Sequence, residues 1–244
     1  MFVQLLGEHF VHTALWAGAI AAIVSGAIGI FVVTRGMSFA VHAISELGFT
    51  GATGALVLGI SPVLGVLGGS LLVGLVLGLL SLRGRERDSA IGAVLAFGLG
   101  LGVLFLSLYQ AYATEAISLL FGSILEVSDA QLRNLVIVGA VVLLGLALLY
   151  RPLLFSSVDP EIAAARGVPL RALSVAIFLL LALTTAEAIQ VVGVLFVLTL
   201  VITPAAAARA RAESRPRSTP ARSQRSAGAR GRAVRSTAAP PRPA

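Results

Sequence analysis

The chain has 244 residues, 57% hydrophobic and only 12% charged, with no cysteine and a mean hydropathy of +0.98. Globular chains carry about 25% charged residues, and half that share cannot cover a soluble surface, so the composition points to a polytopic membrane bundle. The missing cysteines exclude a disulfide framework and any thiolate metal or redox site, while the net charge of +7 has to be located before it is read as a signal for nucleic acid.

A spanning helix needs about 20 mainly apolar residues. Residues 1–12 are short, amphipathic and interfacial in character, without the basic n-region or cleavage site of a signal peptide. Apolar runs then follow at about 13–33, 37–59, 63–82 and 90–109, with Ser61-Pro62 marking a turn and an Arg-rich cluster at 83–88 closing the third. A shorter stretch covers about 116–125. The fifth run, about 135–150, ends at Arg151-Pro152, and residues 151–171 read as a polar loop. Two last runs cover about 172–186 and 189–208, with Glu187 and Gln190 near their join.

Arg35, the cluster at 83–87, and the loop bearing Arg151, Arg166 and Arg171 all belong on the cytoplasmic side by the positive-inside rule. Two cytoplasmic loops require an even number of crossings between them, so the 116–125 stretch reads as re-entrant or packed on the bundle. The expected fold is an all-α polytopic membrane helix bundle of about seven spans, six to eight given the short final runs. Its N-terminus lies outside and its tail inside. Gly65, Gly69, Gly74 and Gly78, and likewise Gly98 and Gly102, are spaced for close helix approach and read as packing residues.

The charge divides the chain in two. Residues 1–208 hold 8 Arg against 10 acids, whereas 209–244 hold 10 Arg against Glu213 alone. The tail carries five of the ten prolines and no Leu, Ile or Phe, so it is expected to be disordered. It reads as a solvated segment, as a polybasic lipid-binding segment, or as an out-of-frame stretch of a GC-rich gene. The basic character therefore gives no support for a nucleic-acid partner. The expected domains are a transmembrane domain over 1–208 and a tail over 209–244.

A charged side chain at mid-membrane costs at least about 2.5–3.5 kcal/mol on insertion scales, so it needs a reason. His42 and Glu46 lie four apart in the second run, which puts both on one helix face. An imidazole and a carboxylate so placed can share a divalent cation, or can form a pair that only shapes a polar interior. Glu187 is a candidate third ligand from another helix. No G-x-x-x-x-G-K-[ST], G-x-S-x-G or H-E-x-x-H occurs, so neither an intrinsic P-loop nor a hydrolase or zinc-protease set is supported.

In the polar loop, Asp159, Pro160 and Glu161 resemble a helix start and Gly167, after Arg166, a helix end. A short capped helix there has the form of a docking element or of an ordinary connection.

Four stretches, in order, resemble the permease subunit of zinc/manganese-type metal ABC transporters: 35–51 (RGMSFAVHAISELGFTG), 119–125 (LLFGSIL), 159–168 (DPEIAAARGV) and 191–207 (VVGVLFVLTLVITPAAA). They cover most of 10–208. The resemblance implies a membrane subunit for divalent metal import (zinc, manganese or iron) with no permanently bound cofactor. Its implied partners are the lipid bilayer, a second permease copy, a separate cytoplasmic ATPase and an extracytoplasmic metal-binding protein. The loop helix with Asp159, Glu161, Arg166 and Gly167 would dock on that ATPase. In many relatives the second-span motif is an Asp, then three residues, then a His before Pro-Gly. Here the same positions are His42, Glu46 and Thr50-Gly51, so one imidazole and one carboxylate stand in exchanged order. The rival expectations are a permease for another solute, such as a metal chelate, and a truncated, non-transporting relative.

Overall fold

A computed structural model describes residues 9–81, 87–108, 120–122, 127–158 and 160–213. Every regular element among them is helical: α1 (His9–Thr34), α2 (Ser38–Val57), α3 (Pro62–Leu80), α4 (Arg87–Leu108), α5 (Asp129–Val158), α6 (Pro160–Ala165), α7 (Leu170–Val192) and α8 (Val194–Glu213). All but α2 and the short α6 are long and apolar enough to cross a membrane, which gives six candidate spans. α2 has 20 residues but carries His42 and Glu46, so it is a seventh long helix of lower apolarity. The chain divides into two compact units, Met1–Ala207 and Ala208–Ala244.

Local chemistry accounts for the helix ends. Three helices close in the same way, with a left-handed glycine after the last turn. At the end of α1, Gly36 (φ +63°) donates to Val33 O, and Met37 N donates to Val32 O. Gly59 after α2 and Gly167 after α6 repeat the pattern, with Ile60 N bonded to Ala55 O and Val168 N to Ala163 O. These paired bonds satisfy carbonyls that a helix end leaves open, and glycine adopts the required φ without a steric penalty. α3 opens with Pro62 in its first turn, where a missing N–H costs nothing.

The fifth span departs from expectation at both ends. It starts at Asp129, because Ser128 and Gln131 form a reciprocal cap: Ser128 N donates to Gln131 Oε1 at 3.0 Å, and Gln131 N to Ser128 Oγ at 3.3 Å. It also runs through Pro152 to Val158, where a loop was expected from residue 151. Beyond the proline, Arg35 supports this last turn and a half. Its guanidinium donates to Leu153 O (2.9 Å), Ser156 Oγ (2.6 Å) and Ser157 Oγ (2.9 Å). Arg35 and the end of α5 thus share one end of the bundle.

Two further boundaries shift. The join expected near Glu187 lies at Gly193, because Ala186 to Gln190 are mostly good helix formers that continue α7 to Val192. Gly193 (φ +78°) then ends it, backbone to backbone with Gly122 (φ +75°); a Cβ on either would collide with the other's main chain. The 116–125 stretch is thus described only at Leu120 to Gly122, which packs on the α7–α8 junction. The helix of α8 continues to Glu213, five residues into the expected tail. The remainder of the tail, residues 83–86 of the Arg-rich cluster and Asp159 lie outside the described residues.

α2 and α7 are the inner helices. α3 packs on both, α4 on α2, and α1 and α5 on α7. The glycines act as the sequence expects. Gly65 and Gly69 meet Gly51 and the carbonyl of Leu47 on α2, so any side chain there would strike backbone. Gly74 and Gly78 give the same access to Phe178, Ala182 and Val175 on α7, and Gly98 and Gly102 to Leu47, Phe49 and Thr50. Large apolar side chains such as Leu72, Val103 and Leu148 remain outside, as a surface solvated by lipid requires.

Candidate functional site

His42 and Glu46 stand one turn apart on α2, both half-buried and close enough to interact electrostatically. Among the described residues neither side chain has a hydrogen-bond partner in the protein, while the polar residues around them are satisfied locally. Ser45 Oγ donates to His42 O (2.9 Å), and Thr50 Oγ1 is shared between Glu46 O (3.0 Å) and Gly98 O of α4 (2.7 Å). The hydroxyls are therefore engaged with backbone carbonyls, and the imidazole and carboxylate keep their donor and acceptor capacity for something else. An N/O pair with lone pairs free, on a helix face inside a membrane bundle, suits transient contact with a borderline-hard divalent cation.

The structure does not bring Glu187 to that pair. Among the described residues no three His, Cys, Asp or Glu side chains are grouped closely enough to hold a metal. The reason is rotational. Gly48 of α2 faces Ile189 of α7. Glu46 and Glu187 each sit two residues before that contact, which at 3.6 residues per turn is roughly 200° around each helix. Each carboxylate therefore turns away from the α2–α7 seam. Glu46 turns toward the α4 side, and Glu187 is buried (7% exposed) between α7, α1 and α5.

The docking residues are placed in part. Glu161 and Arg166 belong to α6 and the turn after it, and Gly167 (φ +79°) closes that turn. Arg166 lies over the ring of Phe155, 5.5 Å from its centroid, which ties the turn to the end of α5. Ile162 of α6 is exposed. Sequence reasoning missed Arg35 as the link between the α1–α2 turn and α5. The Ser-Ser pair at 156–157 after a mid-helix proline was the available signal.

Among the described residues, seven long helices, an ionisable pair on an inner helix and a short helix closed by Gly167 near the Arg35 end are the parts of a multi-pass membrane protein. Residues 8–218 match the ABC 3 transport family. The chain belongs to that family. It is 35% identical over 204 residues to the manganese transport system membrane protein MntC of Halalkalibacterium halodurans, covering 83% of this chain and 70% of that protein. It is also 35% identical over 198 residues to the manganese import system permease protein ScaB of Streptococcus parasanguinis, covering 81% and 70%. Among solved structures it resembles PsaBC from Streptococcus pneumoniae in complex with Fab, with a TM-score of 0.73 and 32% identity over 85% of this chain and 76% of that one. The protein is thus a membrane permease subunit of the ABC class, located in the cell membrane. It has no P-loop of its own, and ATP hydrolysis belongs to a separate subunit.

Proposed function

We propose that this permease imports a free divalent metal ion, manganese or zinc, and that His42 and Glu46 contact the ion in transit. The observation that carries this is the half-buried, locally unpartnered imidazole–carboxylate pair on an inner helix of a family member. Two ligands make an incomplete site, which suits a carrier that must release its ion. A half-exposed ionisable pair is not a lipid-facing feature. It is best covered by a second copy of the chain, so that the two α2 helices border one path. The resemblance to manganese permeases supports manganese as cargo.

The remaining partners follow from the family plan: a cytoplasmic ATPase and an extracytoplasmic metal-binding protein. α6, with Glu161, Arg166 and Gly167 and preceded by Asp159, is the docking element for the ATPase, and the Arg35 end of the bundle faces the cytoplasm. The test is uptake of free manganese and of zinc by cells expressing the chain with its ATPase and binding protein. His42→Ala and Glu46→Ala are each expected to cut uptake at least about tenfold, the loss typical of disturbing a metal's ligand environment. Wild-type uptake in both variants would overturn the ligand role. Uptake only of a metal chelate would overturn the free ion as cargo.

A further inference from the structure

Glu187 is the buried ionisable group that the transport pair leaves unused. It lies between two small cavities of about 10 Å³ each; the first presents only apolar surface, and the second, which presents polar surface as well, has the room of a single water molecule. The first is shared with Ser25 of α1 and Thr184 of α7 and walled by apolar residues of α1 and α5. Ser25 Oγ is fully buried and has no hydrogen-bond partner among the described residues. Thr184 Oγ1 donates to Leu180 O at 2.9 Å, which leaves it able to accept. The second cavity is shared with Gln131 of α5 and Gln190 of α7. Ser25, Glu187 and the two glutamines thus form a polar line from the bundle interior toward the end where α5 begins and α7 ends.

Among the described residues the line has no counter-charge. Of the residues that α1, α5 and α7 present to either cavity, Glu187 is the one titratable group. An ionised carboxylate left alone in an apolar interior is too costly to persist, so it needs a single neutralising positive charge. A sodium ion prefers more oxygen ligands than Ser25, Thr184 and one carboxylate supply. A proton needs only one. We infer that Glu187 is a proton-binding site, separate from the transport pair. Its neutral carboxyl lies beside Ser25 on one side and is linked through a single water to Gln131 and Gln190 on the other. The proton comes from bulk water along the glutamine side, and no other bond changes.

This inference does not depend on the cargo or on the roles of His42 and Glu46. Its test is infrared spectroscopy of the full-length chain in lipid, across neutral pH, in sodium-free buffer and then with added sodium chloride. A protonated-carboxyl C=O band, shifted by exchange into D2O, is expected in the wild type and is lost in Glu187→Gln but not in Glu46→Gln. Ser25→Ala, a smaller change to the fold, is expected to shift the same band without removing it. Persistence of the band in Glu187→Gln would overturn the inference. So would its disappearance on adding sodium, which would make sodium the occupant.

Discussion

The two inner helices each carry a carboxylate, and the molecule treats them in opposite ways. On α2, Glu46 is half-buried, has an imidazole one turn away and lies on the face turned from α7. On α7, Glu187 is enclosed by three helices and, among the described residues, shares its cavities only with neutral groups. The residue type and the surrounding apolar sequence are alike; the helix face decides the rest. Gly48 and Ile189 fix that choice, because they set which sides of α2 and α7 meet. An ionisable residue in a membrane span is thus assigned a task by what its face touches, more than by its distance along the chain.

The comparison can be broken most severely where the helices meet. A Cβ at Gly48 already collides with Ser70 Oγ and Ile189 Cδ1. Gly48→Leu should force α2 from α7 and destabilise the fold by about 1–3 kcal/mol or more. Thermal melting in detergent and loss of both the metal response and the carboxyl band would report it. A smaller effect is expected at the far end of the bundle. Arg35→Ala removes three bonds to the end of α5. Because the group is half-exposed, the expected cost is only about 1 kcal/mol, read as faster amide exchange over residues 153–158 with the rest unchanged.

Two changes should leave both sites alone. Gly68 has open space where its Cβ would go, so Gly68→Ala should preserve melting and uptake, in contrast with its neighbours Gly65 and Gly69. We also propose that residues 1–208 hold the transport function. Removal of residues 219–244, beyond the family match, should then leave uptake in the reconstituted transporter within about twofold of the full chain. A larger loss would give the basic tail a role.

Much of this architecture was legible in the sequence because apolar length and glycine spacing are local properties. The glycines at 65, 69, 74, 78, 98 and 102 indicated close approach, and the structure supplies their partners. The helix boundaries were less legible. Pro152 looked like an end, because the support that carries α5 past it comes from Arg35, over a hundred residues away. The start at Asp129 was readable in the Ser128–Gln131 cap but obscured by the polar composition of residues 128–134. Glu187 looked like a junction residue, and hence a possible third ligand to the α2 pair. Its true neighbours are set by the rotation of α7 against α1 and α5, which no local pattern encodes.

The most direct test of the account is pulsed electron paramagnetic resonance of manganese added to the purified permease. If the α2 pair holds the ion, the bound manganese should display nitrogen coupling from an imidazole. That coupling should vanish in His42→Gln, weaken with the loss of bound manganese in Glu46→Gln, and persist in Glu187→Gln. Nitrogen coupling that survives His42→Gln, or vanishes only in Glu187→Gln, would contradict the assignment of the two carboxylates to different tasks.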